Sequence, residues 1–169
     1  MGLPEALESD VVESLNPVTE IESTPMQEKP QKPLRATVQE PFDGHNLIGY
    51  FEQLNQQYFN NEINIPVLWS KKNTKAYHYG ITFGVFDHGK QEIRINSRLN
   101  QAWVPDFFVK MVLHHEMLHV VVPPVKKEGK VWFHHKEFRL RERQFSEFKD
   151  AILWQRANLK ALMNKQIKD

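Results

Sequence analysis

The stretch His115-Glu116-Met117-Leu118-His119 decides the fold and the chemistry that this sequence predicts. It lies in an apolar run with helical spacing, and histidines four residues apart stack on one helix face, so both imidazoles reach one ion. Glu116 lies about 100° around the helix from His115, where a carboxylate takes a proton from water beside the ion. The pentapeptide therefore predicts two zinc ligands, His115 and His119, and a general base, Glu116.

The flanking sequence predicts where this helix begins and ends. Pro105 and Asp106 are typical of a first helical turn, and Pro123-Pro124 stops a helix. Between them, one face carries apolar residues and both histidines at helical spacing: Phe108, Met111, Val112, His115, Leu118, His119 and Val122. The alternative interpretation is a pair of core histidines with satisfied hydrogen bonds. His114 has apolar Leu118 four residues on, so we interpret it as structural or supporting.

Composition limits the classes to which this chain of 169 residues belongs. Its length predicts one domain. The chain has no cysteine, so disulfides and thiolate ligands are excluded and a zinc ion would be held by histidine and carboxylate. No apolar stretch approaches the ~18 residues of a membrane span, and the N-terminus has no signal-peptide pattern. We therefore expect a soluble, cytoplasmic protein with no membrane partner.

Charge is distributed unevenly, and this distribution predicts the domain organisation. Residues 1–40 hold 3 basic and 8 acidic residues, five prolines and no aromatic residue. Such a segment buries too little apolar surface to offset its ordering entropy. We predict that residues 1–40 are a disordered acidic, Pro-rich tail and that residues 41–169 form the domain. Residues 126–169 hold 12 basic and 6 acidic residues.

The order of apolar patterns predicts an α+β fold with a small three-stranded sheet. A helical stripe from Leu47 to Phe59 ends at Asn60-Asn61. Strand-like runs follow at 67–69, 79–86 and 92–95, and 87–90 is typical of a hairpin turn between the last two. After the pentapeptide helix we expect a loop through residues 125–131. A long C-terminal helical region should then run from about His135 towards Asn164.

A third metal ligand must come from outside the helix, because catalytic zinc usually has three protein ligands and an exchangeable water. The sequence has Val122 and Val125 where one common extension of the motif needs Gly and His. The next histidines lie in Trp132-Phe133-His134-His135-Lys136-Glu137-Phe138. The chemistry of that segment leaves His134, His135 and Glu137 as candidates.

Together these motifs resemble the SprT-like zinc metalloprotease family, which is Spartan-related and has an HExxH…H core. The resemblance spans most of residues 46–148. It includes Leu54-Asn55 with Tyr58-Phe59, Val67-x-Trp69-Ser70, Gly80, Ile93-Arg94-Ile95-Asn96 with Leu99, the pentapeptide, and His134-His135-Lys136-Glu137-Phe138. The family pattern in the last block is His-Gly-x-x-Phe, and its histidine is the third zinc ligand. That match implies His134, with His135 at the usual glycine position.

The resemblance implies a zincin-like metalloprotease core that binds Zn²⁺ through His115, His119 and His134. It implies hydrolysis of peptide bonds in a protein substrate by a metal-activated water, with Glu116 as the catalytic base. Tyr77, His78 and Tyr79 are weak candidates for stabilising the oxyanion. Many bacterial members carry a cysteine zinc ribbon after the core, and this chain, without cysteine, has none.

DNA is a further candidate partner, with single strands favoured over duplex. The basic residues after 125 could neutralise phosphates, and Trp132 and Trp154 among them could stack on bases. Against this, acidic residues interleave with the basic ones, as on an ordinary solvated face. Two alternative functions are a zinc-dependent hydrolase of a non-peptide amide or ester, and a non-catalytic DNA-binding module. An intact Glu116 argues against the last, since a structural site needs no general base.

Overall fold

The pentapeptide helix lies at the centre of the fold. In the computed structural model, which describes residues 44–71 and 80–164, this helix α2 spans Asp106–Val121, between Pro105 and Pro123 as the sequence predicts. Its residues Phe108, Val109, Leu113 and Met117 are fully buried. The helix contacts two strands and the three other described α-helices, so its position fixes that of the pentapeptide.

A three-stranded sheet packs against α2. Its strands are β1 (Val67–Trp69), β2 (Gly84–Asp87) and β3 (Glu92–Ile95), in the order β1-β3-β2. Strand β3 pairs in parallel with β1 and antiparallel with β2. Its residues Ile93 and Ile95 are fully buried. Among the described strands, β2 therefore has a paired neighbour on one side only.

Helix α1 (Leu47–Phe59) precedes the sheet and buries the apolar stripe predicted from the sequence. Asn60 ends it in the left-handed conformation, at φ 51°, which asparagine tolerates better than most residues. Inside the helix, Asn55 is almost fully buried. Its amide donates to the carbonyl of Ile63 at 2.8 Å and accepts from the Ile63 backbone N–H at 3.2 Å, so it fixes the chain that leaves the helix.

The C-terminal region forms two helices, α3 (Lys136–Glu142) and α4 (Phe148–Asn164). The helical region predicted from about His135 to Asn164 is therefore interrupted at residues 143–147. The interruption places the Phe145 ring in the core, 6.1 Å from Tyr58 and 5.5 Å from His114 between ring centroids. The Ser146 backbone N–H donates to the Tyr58 hydroxyl at 3.1 Å. Burying one aromatic ring therefore outweighs the continuation of the helix.

Residues 125–132 form a hairpin of β4 (Val125–Lys127) and β5 (Lys130–Trp132), where the sequence predicted a loop. Glu128 and Gly129 form its turn, both with positive φ, as in the two-residue turns that match strand twist. Every residue of both strands is exposed. The hairpin joins the pentapeptide helix to His134.

The α+β class and the three-stranded sheet are confirmed, but the second strand is shorter than predicted and begins at Gly84. The acidic tail at 1–40 lies outside the described residues, as do Tyr77, His78 and Tyr79. Within 44–71 and 80–164, no helix is long and apolar enough to cross a bilayer.

The Asn55 bridge predicts a measurable loss of stability. Asn55→Leu should lower the free energy of unfolding by about 1–3 kcal/mol, because it leaves the backbone N–H and C=O of Ile63 without partners. Chemical denaturation measures this change. Gln56→Leu, at an exposed position one residue along, is the matched control and should change stability little. Equal stability of the two variants would contradict the bridge.

Candidate metal centre

Three histidine side chains converge at the surface of α2. The Nε2 atoms of His115 and His119 are 3.3 Å apart, and the Nε2 atom of His134 lies 3.2 Å from the first and 3.1 Å from the second. The helix supplies two of these nitrogens, and the chain that follows the hairpin supplies the third. Within the described ranges these three residues form a group that could hold a metal ion.

Hydrogen bonds alone do not satisfy this triangle of nitrogens. Each Nε2 carries either a hydrogen or a lone pair, so at least two of the three are alike and repel. A cation at the centre satisfies three lone pairs at once. Tetrahedral zinc with bonds of about 2.0–2.1 Å places its nitrogen ligands about 3.3 Å apart, close to the separations found here. The donor set therefore fits a zinc ion.

Glu142 orients one of these imidazoles. Its Oε1 lies 2.6 Å from Nδ1 of His115, so Nδ1–H donates to the carboxylate and the lone pair of Nε2 faces the other two histidines. Burial raises the pKa of Glu142, but the hydrogen bond and the nearby imidazoles outweigh it and hold that pKa below its usual value. Such carboxylate–histidine pairs fix the tautomer of a ligand and raise its basicity.

Burial also favours neutral imidazoles in the triad. Loss of hydration, followed by the charges of His115 and His134, lowers the pKa of His119 to about 4. Burial is also the main cause that lowers the pKa of His134. Metal binding requires an unprotonated nitrogen, so the site favours the binding form at neutral pH.

Glu116 lies on the neighbouring face of α2, against strand β2. It is 6% exposed, and burial raises its pKa to about 7, although His115 and a hydrogen bond from the Phe86 backbone act in the opposite direction. A Cβ added to Gly84 would lie 2.8 Å from both Cγ and Oε1 of Glu116. Any side chain at position 84 would therefore displace the Glu116 carboxylate from the place that it has here.

A cleft of about 840 Å³ opens onto these groups. Its lining includes residues 82–86 and His88 from the sheet side of the chain, residues 131–134, and parts of α3 and α4. His115, Glu116, His119 and His134 line it together. The arrangement brings a metal-binding triad, a carboxylate of raised pKa and a space of substrate size to one place.

The other candidates from the sequence have different surroundings. Nε2 of His135 lies 3.1 Å from the carbonyl oxygen of Pro123, and Glu137 pairs with Arg141 at 2.8 Å. His114 is buried between the rings of Tyr58, Phe59 and Phe145, and this burial lowers its pKa to about 4. These contacts are structural. The sequence analysis did not predict a role for Glu142 or Gly84, because no local motif singles out either residue.

Comparison with known families agrees with this geometry. A family model described as SprT-like family matches residues 47–160, more than half of the chain. The match begins with α1 and ends within α4, so it includes the triad, Glu116, Gly84 and Glu142. No curated protein matches this sequence.

The convergence of the triad predicts which of two adjacent histidines is needed for metal binding. His134→Ala should lose most of the bound zinc, because two imidazoles on one helix hold the ion far more weakly than three ligands. His135→Ala is the matched control and should keep one zinc per chain. Metal analysis after dialysis measures both, and the reverse result would move the third ligand by one residue.

The Glu142 carboxylate predicts a smaller effect. Glu142→Gln should weaken zinc affinity by about 10–100-fold, because His115 loses its charged acceptor while all three ligands stay. Competition with a chromogenic chelator measures the affinity. Glu137→Gln, on the same short helix but paired with Arg141, should leave it unchanged. A Glu142→Gln protein with wild-type affinity would refute the orienting role.

Proposed function

Because the chain belongs to the SprT-like family, we propose that it is a zinc-dependent metallopeptidase that hydrolyses peptide bonds with an activated water. The observation that carries this proposal is the convergence of three Nε2 atoms beside the buried carboxylate of Glu116. His115, His119 and His134 would hold the zinc ion. When bound there, zinc supplies a Lewis acid that acidifies water and polarises a carbonyl. We class the core as zincin-like.

Glu116 serves as the general base in this proposal. Its carboxylate takes a proton from the attacking water and returns that proton to the amine that leaves when the C–N bond breaks. A raised pKa suits both transfers near neutral pH, because a group with a pKa close to the working pH both accepts and donates readily. Gly84 provides the space for this carboxylate, and the Phe86 N–H holds it.

The backbone of β2 favours a peptide over another amide or an ester. Gly84 and Phe86 lie opposite Ile95 and Ile93 of β3, whose backbone hydrogen bonds run towards the β1 side of the sheet. The Ile93 N–H donates to the carbonyl oxygen of Pro66 at 2.9 Å, and the carbonyl oxygen of Ile95 accepts from the Ser70 N–H at 2.7 Å. In an antiparallel pair, the backbone groups of Gly84 and Phe86 then point away from β3. An extended peptide in the cleft can pair with this edge as an added strand.

This assignment predicts that Glu116→Gln keeps zinc and fold but lowers peptide hydrolysis by at least about 100-fold, because glutamine cannot take the proton. The measurement is turnover of a casein or peptide-library substrate by the zinc-loaded protein, with metal content determined alongside. Glu137→Gln is the control and should turn over normally. Near-wild-type turnover by Glu116→Gln would exclude Glu116 as the general base. An inactive zinc-loaded wild type would exclude the proposed peptidase activity.

DNA-associated proteins are the substrates that we propose, because a basic groove lies beside the metal centre. It has a volume of about 740 Å³ between the hairpin and α3, and its lining includes His134. Lys136, Arg139 and Leu140 of α3 line it together with Arg143, which directly follows the helix, while Val125, Lys127 and Trp132 line the hairpin side. Unlike Glu137 and Arg141, the cations Lys136, Arg139 and Arg143 form no ion pair among the described residues.

The two tryptophans of the basic segment differ in their availability to a ligand. Trp132 is 54% exposed and lies in the groove, where a base could stack on it. Trp154 is half-buried and packs 4.7 Å from Phe108 and 5.7 Å from Trp103, so we propose Trp132 as the residue on which a base stacks. A non-catalytic DNA-binding module would share this groove but would not need the buried Glu116.

The groove predicts salt-sensitive binding of single-stranded oligonucleotides. Lys127 and Lys130 are cross-strand partners on the hairpin, and their joint reversal to Glu should weaken binding at low salt by at least about tenfold, since phosphate contacts are lost. Zinc content should not change. Reversal of Lys149 and Lys160, exposed on α4, is the charge-matched control. Anisotropy titrations measure the affinity. Equal losses in the two double variants would show that the overall charge of the chain, and not the groove, attracts DNA. No binding of the wild type at low salt would exclude DNA as a ligand.

A further inference from the structure

The turn between β2 and β3 holds a histidine at the rim of the catalytic cleft. Asp87 Oδ1 accepts hydrogen bonds from the backbone N–H groups of Gly89 at 3.0 Å and Lys90 at 3.1 Å. The Gln91 side chain donates to the carbonyl of His88 at 2.8 Å. These bonds fix the backbone on both sides of His88, so its position is set by the turn.

The His88 ring rests on aromatic neighbours and lines the cleft together with the triad and Glu116. It packs edge to face on Phe86, with centroids 4.5 Å apart, and lies 6.2 Å from the ring of Phe133. Phe133 in turn lies 6.2 Å from His119. The charge of His88 contributes to the lowered pKa of His119, which places the two imidazoles within electrostatic range.

His88 has no structural hydrogen bond that would account for its imidazole. Within residues 44–71 and 80–164, neither of its ring nitrogens has a hydrogen-bond partner, and the side chain is exposed to the cleft. It lies outside the group of three converging nitrogens. The structure therefore offers a held imidazole with free nitrogens, in the turn that follows the strand in contact with Glu116.

We propose that the N–H group of His88 donates a hydrogen bond to the oxygen of the scissile carbonyl as that oxygen becomes an oxyanion. This inference rests on the proposed peptidase function. In that step the water oxygen bonds to the carbonyl carbon, the C=O electron pair moves to the oxygen, and Glu116 takes the water proton. When the tetrahedral carbon collapses, the electron pair returns, the C–N bond breaks and Glu116 protonates the amine. His88 keeps its proton throughout.

Stabilising the oxyanion requires a donor whose hydrogen bond strengthens as negative charge develops on the carbonyl oxygen. Such a bond stabilises the transition state more than it stabilises the bound substrate. A histidine that only packed on Phe86 would need its ring and not its N–H. His88→Phe keeps the ring and removes the donor, whereas His88→Gln removes the ring and keeps a donor. The two roles therefore predict opposite rankings of the two variants.

The experiment uses the full zinc-loaded chain and a fluorogenic peptide taken from a cleavage site of the wild type. His88→Phe should lower kcat by about 100-fold, with KM within about threefold of wild type. His88→Gln should retain more activity than His88→Phe. Lys90→Gln, in the same turn, is the matched control and should have wild-type kcat. Zinc content and melting temperature should be unchanged in all three.

A second readout does not depend on turnover. A phosphinic peptide of the same sequence has a tetrahedral anionic centre, so His88→Phe should weaken its binding by about the same factor as it lowers kcat/KM. Wild-type kcat in His88→Phe, or a loss that follows zinc content or KM alone, would overturn the proposal while the peptidase stands. Higher activity of His88→Phe than of His88→Gln would assign the residue to packing. An inactive zinc-loaded wild type would overturn both proposals.

Discussion

The convergence of three imidazole nitrogens, which hydrogen bonds alone cannot satisfy and which a shared cation would satisfy, is the constraint on which the rest of this structure depends. His115 and His119 are one helical turn apart, so α2 needs only to be a regular helix to bring them together. His134 comes from a separate part of the chain and approaches both to within 3.2 Å. Holding three nitrogens so close without a cation costs free energy. The surrounding fold therefore has to supply rigidity at this point.

That rigidity comes from both sides of α2. On one side, Glu142 of α3 holds the His115 ring through its Nδ1 atom. On the other, β2 passes so close that a side chain at position 84 would displace Glu116, and the Phe86 backbone contacts Glu116. The same short strand thus contacts Glu116, the proposed proton acceptor, presents an edge without a paired strand among those described and leads into the turn that holds His88. A strand of four residues links the proposed base, the proposed path of the substrate and the rim of the cleft.

The sequence predicted the parts that depend on local periodicity. The bounds of α2, the stripe of α1 and the three strands follow from apolar spacing, and the family assignment is confirmed by the match over residues 47–160. The break at Phe145 was missed because its cause is the space between Tyr58 and His114. The hairpin was missed because its strands are lysine-rich and exposed, with only Glu128-Gly129 to indicate a turn. Glu142 was missed because its partner lies 27 residues earlier.

The hairpin is also the tether between the second and third histidines, since it occupies most of the chain between His119 and His134. An ion in the triad closes that tether into a loop and so restricts the hairpin that forms one side of the basic groove. A ligand that binds the groove in this closed form favours the position of His134 that the ion requires. By thermodynamic linkage, each then raises the affinity of the chain for the other, and by the same factor. If the chain binds both, metal retention and occupancy of the groove would then be coupled through one loop-closure equilibrium.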